Sequence, residues 1–156
     1  MERTRGFEPI IEEMRKETMD YVLPVRGSSG SAGYDISSPI DVIIEPHSSV
    51  LVWTNIKAYM LQDEVLEVYI RSSVGIKKGL MLKNTVGIID SDYYSNESND
   101  GNIGLNLRNM TDEAVVIEKG ERICQCVFQK YLIADNDVYL SDSRVGGFGS
   151  TNVTNE

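Results

Sequence analysis

Residues 84–94 read NTVGIIDSDYY, and the rest of the chain is organised around them. A short apolar run, residues 86–89, leads directly into the carboxylates Asp90 and Asp92 and then into two tyrosines. A buried strand normally ends in Gly, Asn or Ser, because the following turn needs special backbone angles. A strand that ends on ionisable groups is either followed by a solvated acidic turn or forms the edge of a reactive site. This segment alone fits both.

Short apolar segments on either side of this stretch predict an all-β protein. From residue 40 to residue 131, β-branched and aromatic segments alternate with turns rich in Pro, Asp, Glu, Gly and Ser. Several segments alternate apolar and polar residues, as in LEVYI at 66–70, which is the period of a half-buried strand. One hydrophobic core suffices for 156 residues. We therefore expect a single domain over residues 1–140, folded as a sandwich or as a distorted, barrel-like jelly roll.

Some local features can be placed within this fold. An edge strand is expected at residues 21–25, since Pro24 is tolerated only at a sheet edge. A single strand is expected over residues 50–60. Residues 72–79, SSVGIKKG, predict one turn of helix capped by a serine, so that the domain holds at most one or two short helical segments.

Composition excludes several classes of function. A net charge of −9 disfavours a nucleic-acid polymer as partner, although converging arginines and a divalent cation can still bind a small phosphorylated ligand. We find no signal-peptide core and no apolar run long enough to span a bilayer, so we expect a soluble, cytoplasmic protein. Cys124 and Cys126 are poorly placed to form a disulfide, and with His47 as the single histidine we expect no zinc site.

The C-terminal residues, 141–156, predict a flexible arm rather than part of the core. Residues 144–151, RVGGFGST, combine an arginine, an aromatic ring and two hydroxyls, which are the groups that a lid over a nucleotide polyphosphate needs. Fixing each backbone residue costs roughly 1–2 kcal/mol. We therefore expect the arm to be disordered without substrate.

Small residues beside phosphate-binding or nucleoside-binding groups recur along the chain, and each occurrence alone is weak evidence. In order they read AGYD (32–35), RSSVG (71–75), NTVGIIDSDY (84–93), GERICQ (120–125) and RVGGFGST (144–151). In this order and spacing they resemble the motifs of the trimeric deoxyuridine triphosphate nucleotidohydrolases (dUTPases), over about residues 33–151. The segment after the third motif is most similar to dUTPases of Gram-positive bacteria and their phages.

The resemblance implies hydrolysis of dUTP to dUMP and pyrophosphate with Mg²⁺, by a homotrimer whose sites lie between subunits. Asp90 would activate the water that attacks the α-phosphorus, and an Asp with an ordinary pKa of ~3.9 is ionised at neutral pH. Asn84 would read the uracil edge. Tyr93 would lie under the deoxyribose and exclude a 2′-hydroxyl by volume.

The same resemblance implies roles for the other motif residues. Asp35 would meet the metal through a water. Arg71 could hold a carboxylate or a phosphate, and Arg122 could equally be a strand-entry residue. Phe148 would cover the uracil face, and Arg144 would bind the outer phosphates. The remaining substrate-binding candidates are Ser72, Ser73 and Gln125 in the domain and Gly149, Ser150 and Thr151 in the arm, the last two on the terminal phosphate.

The chain departs from the family pattern directly after Tyr93. Residues 94–101, YSNESNDG, replace the usual single residue and glycine, and we call them the insertion loop. The loop leaves the catalytic groups in place but changes the hairpin expected to carry uracil recognition. Asp92 has no assigned role beyond the turn, and residues 95–100 could face a protein partner.

Two alternative functions fit parts of the pattern. A dCTP deaminase of the same fold would be expected to place a glutamate at the strand end, and this chain has none there. A non-catalytic nucleotide-sensing or regulatory binding protein would bind nucleotide without releasing pyrophosphate from dUTP.

Overall fold

The computed structural model describes residues 2–144 and 146–148. Strands dominate this part of the chain, with one α-helix and two single-turn 3-10 helices. The α-helix, α1, is Ser72–Lys78, and the 3-10 turns are Glu12–Met14 and Ser91–Tyr93. The strands are β1 (Gly6–Pro9), β2 (Val25–Arg26), β3 (Tyr34–Ser37), β4 (Val42–Ile44), β5 (Ser49–Trp53), β6 (Ile56–Tyr59), β7 (Glu64–Ile70), β8 (Leu80–Leu82), β9 (Gly87–Asp90), β10 (Gly104–Asn109), β11 (Val115–Ile117) and β12 (Arg122–Lys130).

The strands form antiparallel sheets whose neighbours are distant in the chain. The largest sheet has the order β2-β3-β12-β7-β9, and a second has the order β5-β10-β8. Two further pairs are β1-β6 and β11-β4. Crossovers of this kind, with long-range antiparallel pairs, are typical of jelly rolls. The predicted jelly-roll-like fold is confirmed, although the sheets do not close into a barrel over the described residues.

One hydrophobic core joins the two larger sheets. Alternation along β10 explains how: Leu105 and Leu107 are buried, whereas Asn106 and Arg108 between and beyond them are partly exposed. Strand β7 contributes Leu66 and Val68 to the same cluster. A core continuous across both sheets gives the loops at their edges a rigid support.

Asn55 divides the segment predicted as one strand over residues 50–60, so that prediction is wrong. Its backbone adopts φ 59°, in the left-handed region that Asn tolerates better than most residues. The buried side-chain amide donates to the carbonyls of Lys16, Thr18 and Asp20, at 3.1, 3.0 and 3.2 Å. These bonds hold the N-terminal segment against the bend between β5 and β6.

Two other local predictions need correction. The edge strand expected at residues 21–25 is reduced to β2, which starts directly after Pro24, a residue without an N–H for strand pairing. The helix does form, but Ser72 is its first residue and Arg71 is the N-cap, with no side-chain cap bond. The helix ends at Lys78, and the C-cap residue Gly79 has a φ of 66°, which suits glycine.

Strand β7 sets the distance between the two groups of motif residues. Its last residue leads into Arg71 and α1, and near its other end Val65 pairs with Asp90 of β9. The extended chain from Val65 to Arg71 spans roughly 20 Å at 3.3 Å per residue. The second and third motifs therefore lie at opposite ends of the same strand.

Candidate active site

Asp90 ends β9, the edge strand of the five-stranded sheet. The strand can approach β7 closely because residue 87 is glycine: a Cβ there would lie 3.1 Å from Cβ of Val68. The single 3-10 turn Ser91–Tyr93 then folds the chain back, so that Tyr93 is buried. The strand and the turn together present a carboxylate and an aromatic ring on one side.

A pocket of about 180 Å³ opens beside Asp90. Asn84, from the turn between β8 and β9, lines it together with Tyr93. Arg144 and Phe148 reach the pocket from the C-terminal segment. Its apolar walls come from the sheets and include Val68, Leu82 and Leu105. The residues predicted to activate the attacking water, to read the uracil and to contact the deoxyribose therefore line one cavity.

Asp90 and Asp92 hold the same guanidinium. Arg144 Nη2 lies 2.5 Å from Asp90 Oδ2, and Arg144 Nε lies 2.7 Å from Asp92 Oδ1. Partial burial raises the pKa of Asp90 above its ordinary value, the charge of Asp92 adds to the rise, and Arg144 opposes it. Asp92 was expected only to form a turn, and the structure gives it a second role as a partner of Arg144.

Both the hydroxyl group and the ring of Tyr93 make close contacts with neighbouring residues. Its Oη donates to the carbonyl of Asn102 at 2.6 Å and accepts from Asn99 Nδ2 at 2.8 Å. Burial raises the pKa of Tyr93, so the phenol stays protonated at neutral pH. Gly147 lies against the ring, where a Cβ would come within 2.7 Å of Tyr93 Cε2. Only glycine fits at position 147 in this arrangement.

Phe148 contacts the ring of Trp53 edge-on, with centroids 5.7 Å apart. Its side chain is otherwise largely exposed at the pocket mouth. Its backbone adopts φ 53°. The remaining predicted arm residues, Gly149, Ser150 and Thr151, lie outside the described residues.

A second group of motif residues surrounds Asp35 on β3. Arg71 Nε lies 3.2 Å from Asp35 Oδ1, and Arg122 Nη1 lies 3.0 Å from Asp35 Oδ2. Gln125 of β12 pairs in register with Asp35, and a Cβ at Gly33 would lie 2.5 Å from Gln125 Oε1. The first and fourth motifs therefore pack together, with Gly33 directly against the side chain of Gln125. Arg71 contacts a carboxylate here, and its role toward a phosphate stays a prediction.

Ser72 and Ser73 begin α1 directly beside this second group, and both are exposed. Ser73 lines a groove with Arg71, Lys77 and Arg122. The two guanidiniums on the single carboxylate of Asp35 leave this end of the sheet with a local excess of positive charge. Such a surface suits a phosphorylated ligand despite the acidic chain.

A dUTPase family model matches residues 20–152. The chain belongs to the dUTPase family. The deoxyuridine 5′-triphosphate nucleotidohydrolase of Lactococcus lactis is 47% identical over 150 residues, which cover 96% of this chain and 98% of that protein. The crystal structure of the Streptococcus mutans dUTPase superposes with a TM-score of 0.74 at 45% identity, over 83% of this chain and 98% of that one.

A more distant dUTPase shares the fold. The enzyme of Staphylococcus aureus phage phi11, in a mutant structure that contains a structural Mg(II) ion, gives a TM-score of 0.68 at 20% identity. The match covers 90% of this chain and 97% of that chain. At this identity the likeness concerns the fold alone.

In this dUTPase-family chain, several residues outside the predicted site contact residues within it. Asp92 binds Arg144, Arg122 binds Asp35, and Trp53 contacts Phe148. Asn99 and Asn102 bond to the phenol of Tyr93. Arg122 follows GE in the fourth motif, so its position was visible in the sequence. Trp53 is the single tryptophan of the chain. No local pattern links it to a ring almost a hundred residues later.

Magnesium fits the second group only in company with a phosphorylated ligand. Over residues 2–144 and 146–148, no three His, Cys, Asp or Glu side chains converge as metal ligands. Both oxygens of Asp35 already contact arginines. Mg²⁺ in proteins is commonly held by one or two carboxylates, several waters and substrate phosphates. Asp35 would therefore be the one carboxylate of such a site, and the other ligands would come from waters and phosphates.

The two cysteines play no part in the site. Cys124 and Cys126 are free and buried, and burial raises the pKa of Cys124 to about 12. Neither thiol is therefore ionised at neutral pH. Within the described part of the chain, no helix has the length and apolar character needed to cross a membrane.

Proposed function

We propose that this chain hydrolyses dUTP to dUMP and pyrophosphate, with Asp90 as general base. The observation that carries the proposal is the pocket shared by Asp90, Asn84 and Tyr93, in a chain of the dUTPase family. A carboxylate at the mouth of a partly apolar pocket can hold a water beside a bound nucleotide. The raised pKa of Asp90 makes its carboxylate a stronger base than an ordinary aspartate.

The pocket residues give the proposal its substrate selectivity. Asn84 carries an amide that both donates and accepts, as needed to pair with the uracil edge. Tyr93 presents a buried, fixed ring to the sugar, and a fixed wall excludes a 2′-hydroxyl better than a mobile one. Phe148 covers the uracil at the pocket mouth, where its ring contacts the ring of Trp53.

The second group of motif residues is proposed to hold the phosphates. Ser72, Ser73, Arg71 and Gln125 provide donors at the positively charged end of the sheet. Mg²⁺, held through a water by Asp35, would neutralise charge on the phosphate oxygens. From the arm, Arg144, Gly149, Ser150 and Thr151 are proposed to bind the outer phosphates.

A single chain does not bring these two groups together, which supports a shared site. Asp35 on β3 and Asp90 on β9 are three strand spacings apart across the sheet. Along the strand direction, Asp35 is level with Tyr69 of β7 and Asp90 with Val65, which is an offset of four residues. At 4.8 Å per strand and 3.3 Å per residue, the Cα atoms are roughly 20 Å apart. Catalytic groups must come within about 3 Å of the atoms they act on. We therefore propose a homotrimer in which each site combines groups from different subunits.

The C-terminal segment is proposed to act as a lid. Residues 141–156 follow the domain of residues 1–140, and Arg144, Gly147 and Phe148 lie against the pocket. Residues 132 and 133 and residues 138–140, which lead to these contacts, are exposed and largely apolar. A segment with so little burial of its own can open at low cost, as a lid must. We also place the protein in the cytoplasm, where free thiols such as Cys124 persist.

The insertion loop offers a limited surface for a protein partner. Asn96 and Asp100 are buried, whereas Ser95, Glu97 and Ser98 are exposed. A partner at residues 95–100 would therefore contact the exposed side chains of Ser95, Glu97 and Ser98.

A pyrophosphate-release panel tests the proposal. The purified chain is assayed with dUTP, UTP, dTTP and dCTP, with Mg²⁺ and again with a chelator. We expect release from dUTP alone and only with the metal. Ammonia release from dCTP would indicate a deaminase, and nucleotide binding without pyrophosphate release would indicate a binding protein.

A further inference from the structure

The insertion loop is packed into the protein rather than exposed as an acidic surface loop. Asn96, Asp100 and the adjoining Asn102 are 6%, 7% and 0% exposed. Ser95, Asp100 and Gly101 adopt positive φ values, which fold the loop tightly back on itself. A loop with this much buried polar surface is stable only if its polar groups are bonded.

Asn99 bonds to Tyr93 in an orientation that its neighbours determine. The Asn99 Oδ1 accepts from the backbone N–H of Gly101 at 3.0 Å and lies 2.7 Å from Asn96 Nδ2. Because a backbone N–H is always a donor, Oδ1 must face Gly101, and Nδ2 must face Tyr93. The bond from Asn99 Nδ2 to Tyr93 Oη is 2.8 Å long. The phenol proton is then directed to the carbonyl of Asn102, 2.6 Å away.

Tyr93 is thus fixed at both ends by the insertion loop. Asn96 Nδ2 donates to the Tyr93 backbone carbonyl at 2.8 Å, while Asn99 fixes the phenol. With its Oη both donating and accepting, the phenol cannot tilt or withdraw without breaking a buried bond.

A buried ion pair ties the loop to the domain. Lys57 Nζ lies 2.9 Å from both carboxylate oxygens of Asp100 and donates to Ser95 Oγ at 3.0 Å. The backbone N–H of Ile11 donates to Asp100 Oδ2 at 2.8 Å. The position of Asn99 is therefore set by β6 and the N-terminal segment, not by the loop alone.

We propose that Asn99 is a positioning residue for sugar discrimination: its amide holds the Tyr93 ring against the pocket so that a ribonucleotide is refused. This inference rests on the proposed function, in which Tyr93 lies under the deoxyribose. It gives the insertion loop a role in selectivity, expressed through a side chain that does not itself line the pocket.

The test compares dUTP with UTP in Asn99→Ala. The variant removes the donor to Tyr93 Oη and also the acceptor for Asn96 Nδ2 and for the N–H of Gly101. Loss of the bond to Tyr93 should lower the ratio of the two kcat/KM values by about threefold to tenfold. Both constants come from the same preparation, so partial unfolding cancels from the ratio. In a Tyr93→Phe background, which lacks Oη, adding Asn99→Ala should change the ratio no further. Glu97→Ala, an exposed change in the same loop, is the matched control and should keep the wild-type ratio.

The outcomes separate this inference from the proposed function. An unchanged ratio in Asn99→Ala, or a further fall in the Tyr93→Phe background, would overturn the inference while dUTP hydrolysis stands. If Tyr93→Ala also leaves the ratio unchanged, the sugar role of Tyr93 fails and the inference fails with it. If the wild-type chain releases no pyrophosphate from dUTP, the proposed function itself is wrong.

Discussion

Arg144 Nη2 lies 2.5 Å from Asp90 Oδ2, so the arginine assigned to the phosphates contacts the carboxylate assigned to the water. Asp92 holds the same guanidinium from the other side, at 2.7 Å. A carboxylate paired with an arginine is a weaker base than one that is not. A triphosphate competing for Arg144 would release Asp90 for its proposed task, so substrate binding and activation of the base are coupled through this contact.

Asp90→Asn should abolish turnover without abolishing binding. The amide keeps the size of the side chain but cannot accept a proton, and loss of a general base typically costs about 10²–10⁴-fold in rate. Single-turnover pyrophosphate release measures the chemical step, and calorimetry with a non-hydrolysable dUTP analogue measures affinity. Asp92→Asn keeps the base and should lose much less activity. Equal losses in the two variants would contradict the assignment.

The acidic limb of the pH profile should report on Asp90. Because burial and Asp92 raise the pKa of Asp90, kcat/KM should fall at a pH above that of an ordinary aspartate as the carboxylate becomes protonated. Arg144→Gln removes the opposing positive charge and should move the midpoint to higher pH. Asp92→Asn removes a like charge and should move it to lower pH. Shifts of the same sign in both variants would show that another group titrates.

A chain ending after Asp142 should remain folded but lose most of its turnover. The truncation removes Arg144 and Phe148, whereas the core across the two larger sheets is untouched. Pyrophosphate release gives the rate, and size-exclusion chromatography with circular dichroism gives the assembly and fold. A chain ending after Thr151 keeps the whole fifth motif and should retain the wild-type rate. Full activity in the shorter chain would exclude a lid.

Periodicity was sufficient to predict the sheets but not their interruptions. The alternation in residues 66–70 lies within β7, as expected for a strand with one buried face. The break at Asn55 was missed, because the bend depends on carbonyls of Lys16, Thr18 and Asp20 that only the folded chain brings near. A local pattern carries no information about such long-range partners.

The motif residues were identified from the sequence, but their distribution over two regions was not. Asn84, Asp90 and Tyr93, whose roles the family resemblance implied, line one pocket. Asp35 lies at the far side of the same sheet, because strand order rather than motif order decides which loops meet. The contact of Asp92 with Arg144 likewise depends on the path of the arm.

Lys57→Met should destabilise the protein far more than a change in an exposed ion pair. Lys57 and Asp100 are both buried, and removing one partner of a buried pair leaves the other charge unpaired, at a cost of about 3–5 kcal/mol. Lys130→Met, which breaks the exposed pair with Asp63, should cost about 0–1 kcal/mol. Urea unfolding followed by tryptophan fluorescence gives both free energies. Equal costs would mean that the Lys57 pair is solvated.

Two inactive variants should restore activity when they assemble together. Asp90→Asn damages the pocket half of a site, and Gln125→Ala damages the phosphate half at the other end of the sheet. If each site combines halves from two subunits, some mixed sites join the intact Asp90 of one chain to the intact Gln125 of the other. Random assembly of equal amounts makes about one site in four intact over all trimers, and about one in three in the mixed trimers alone.

The control pairs two variants of the same half. Asp90→Asn with Asn84→Ala leaves every mixed site with at least one damaged pocket residue, because both residues line one pocket of one chain. Coexpression with two different affinity tags and sequential purification isolates the mixed assemblies, and pyrophosphate release is measured per site. Rescue in the first pair and none in the control requires sites shared between subunits. No rescue in either pair would place the whole site on one chain, against the separation of roughly 20 Å that strand geometry sets.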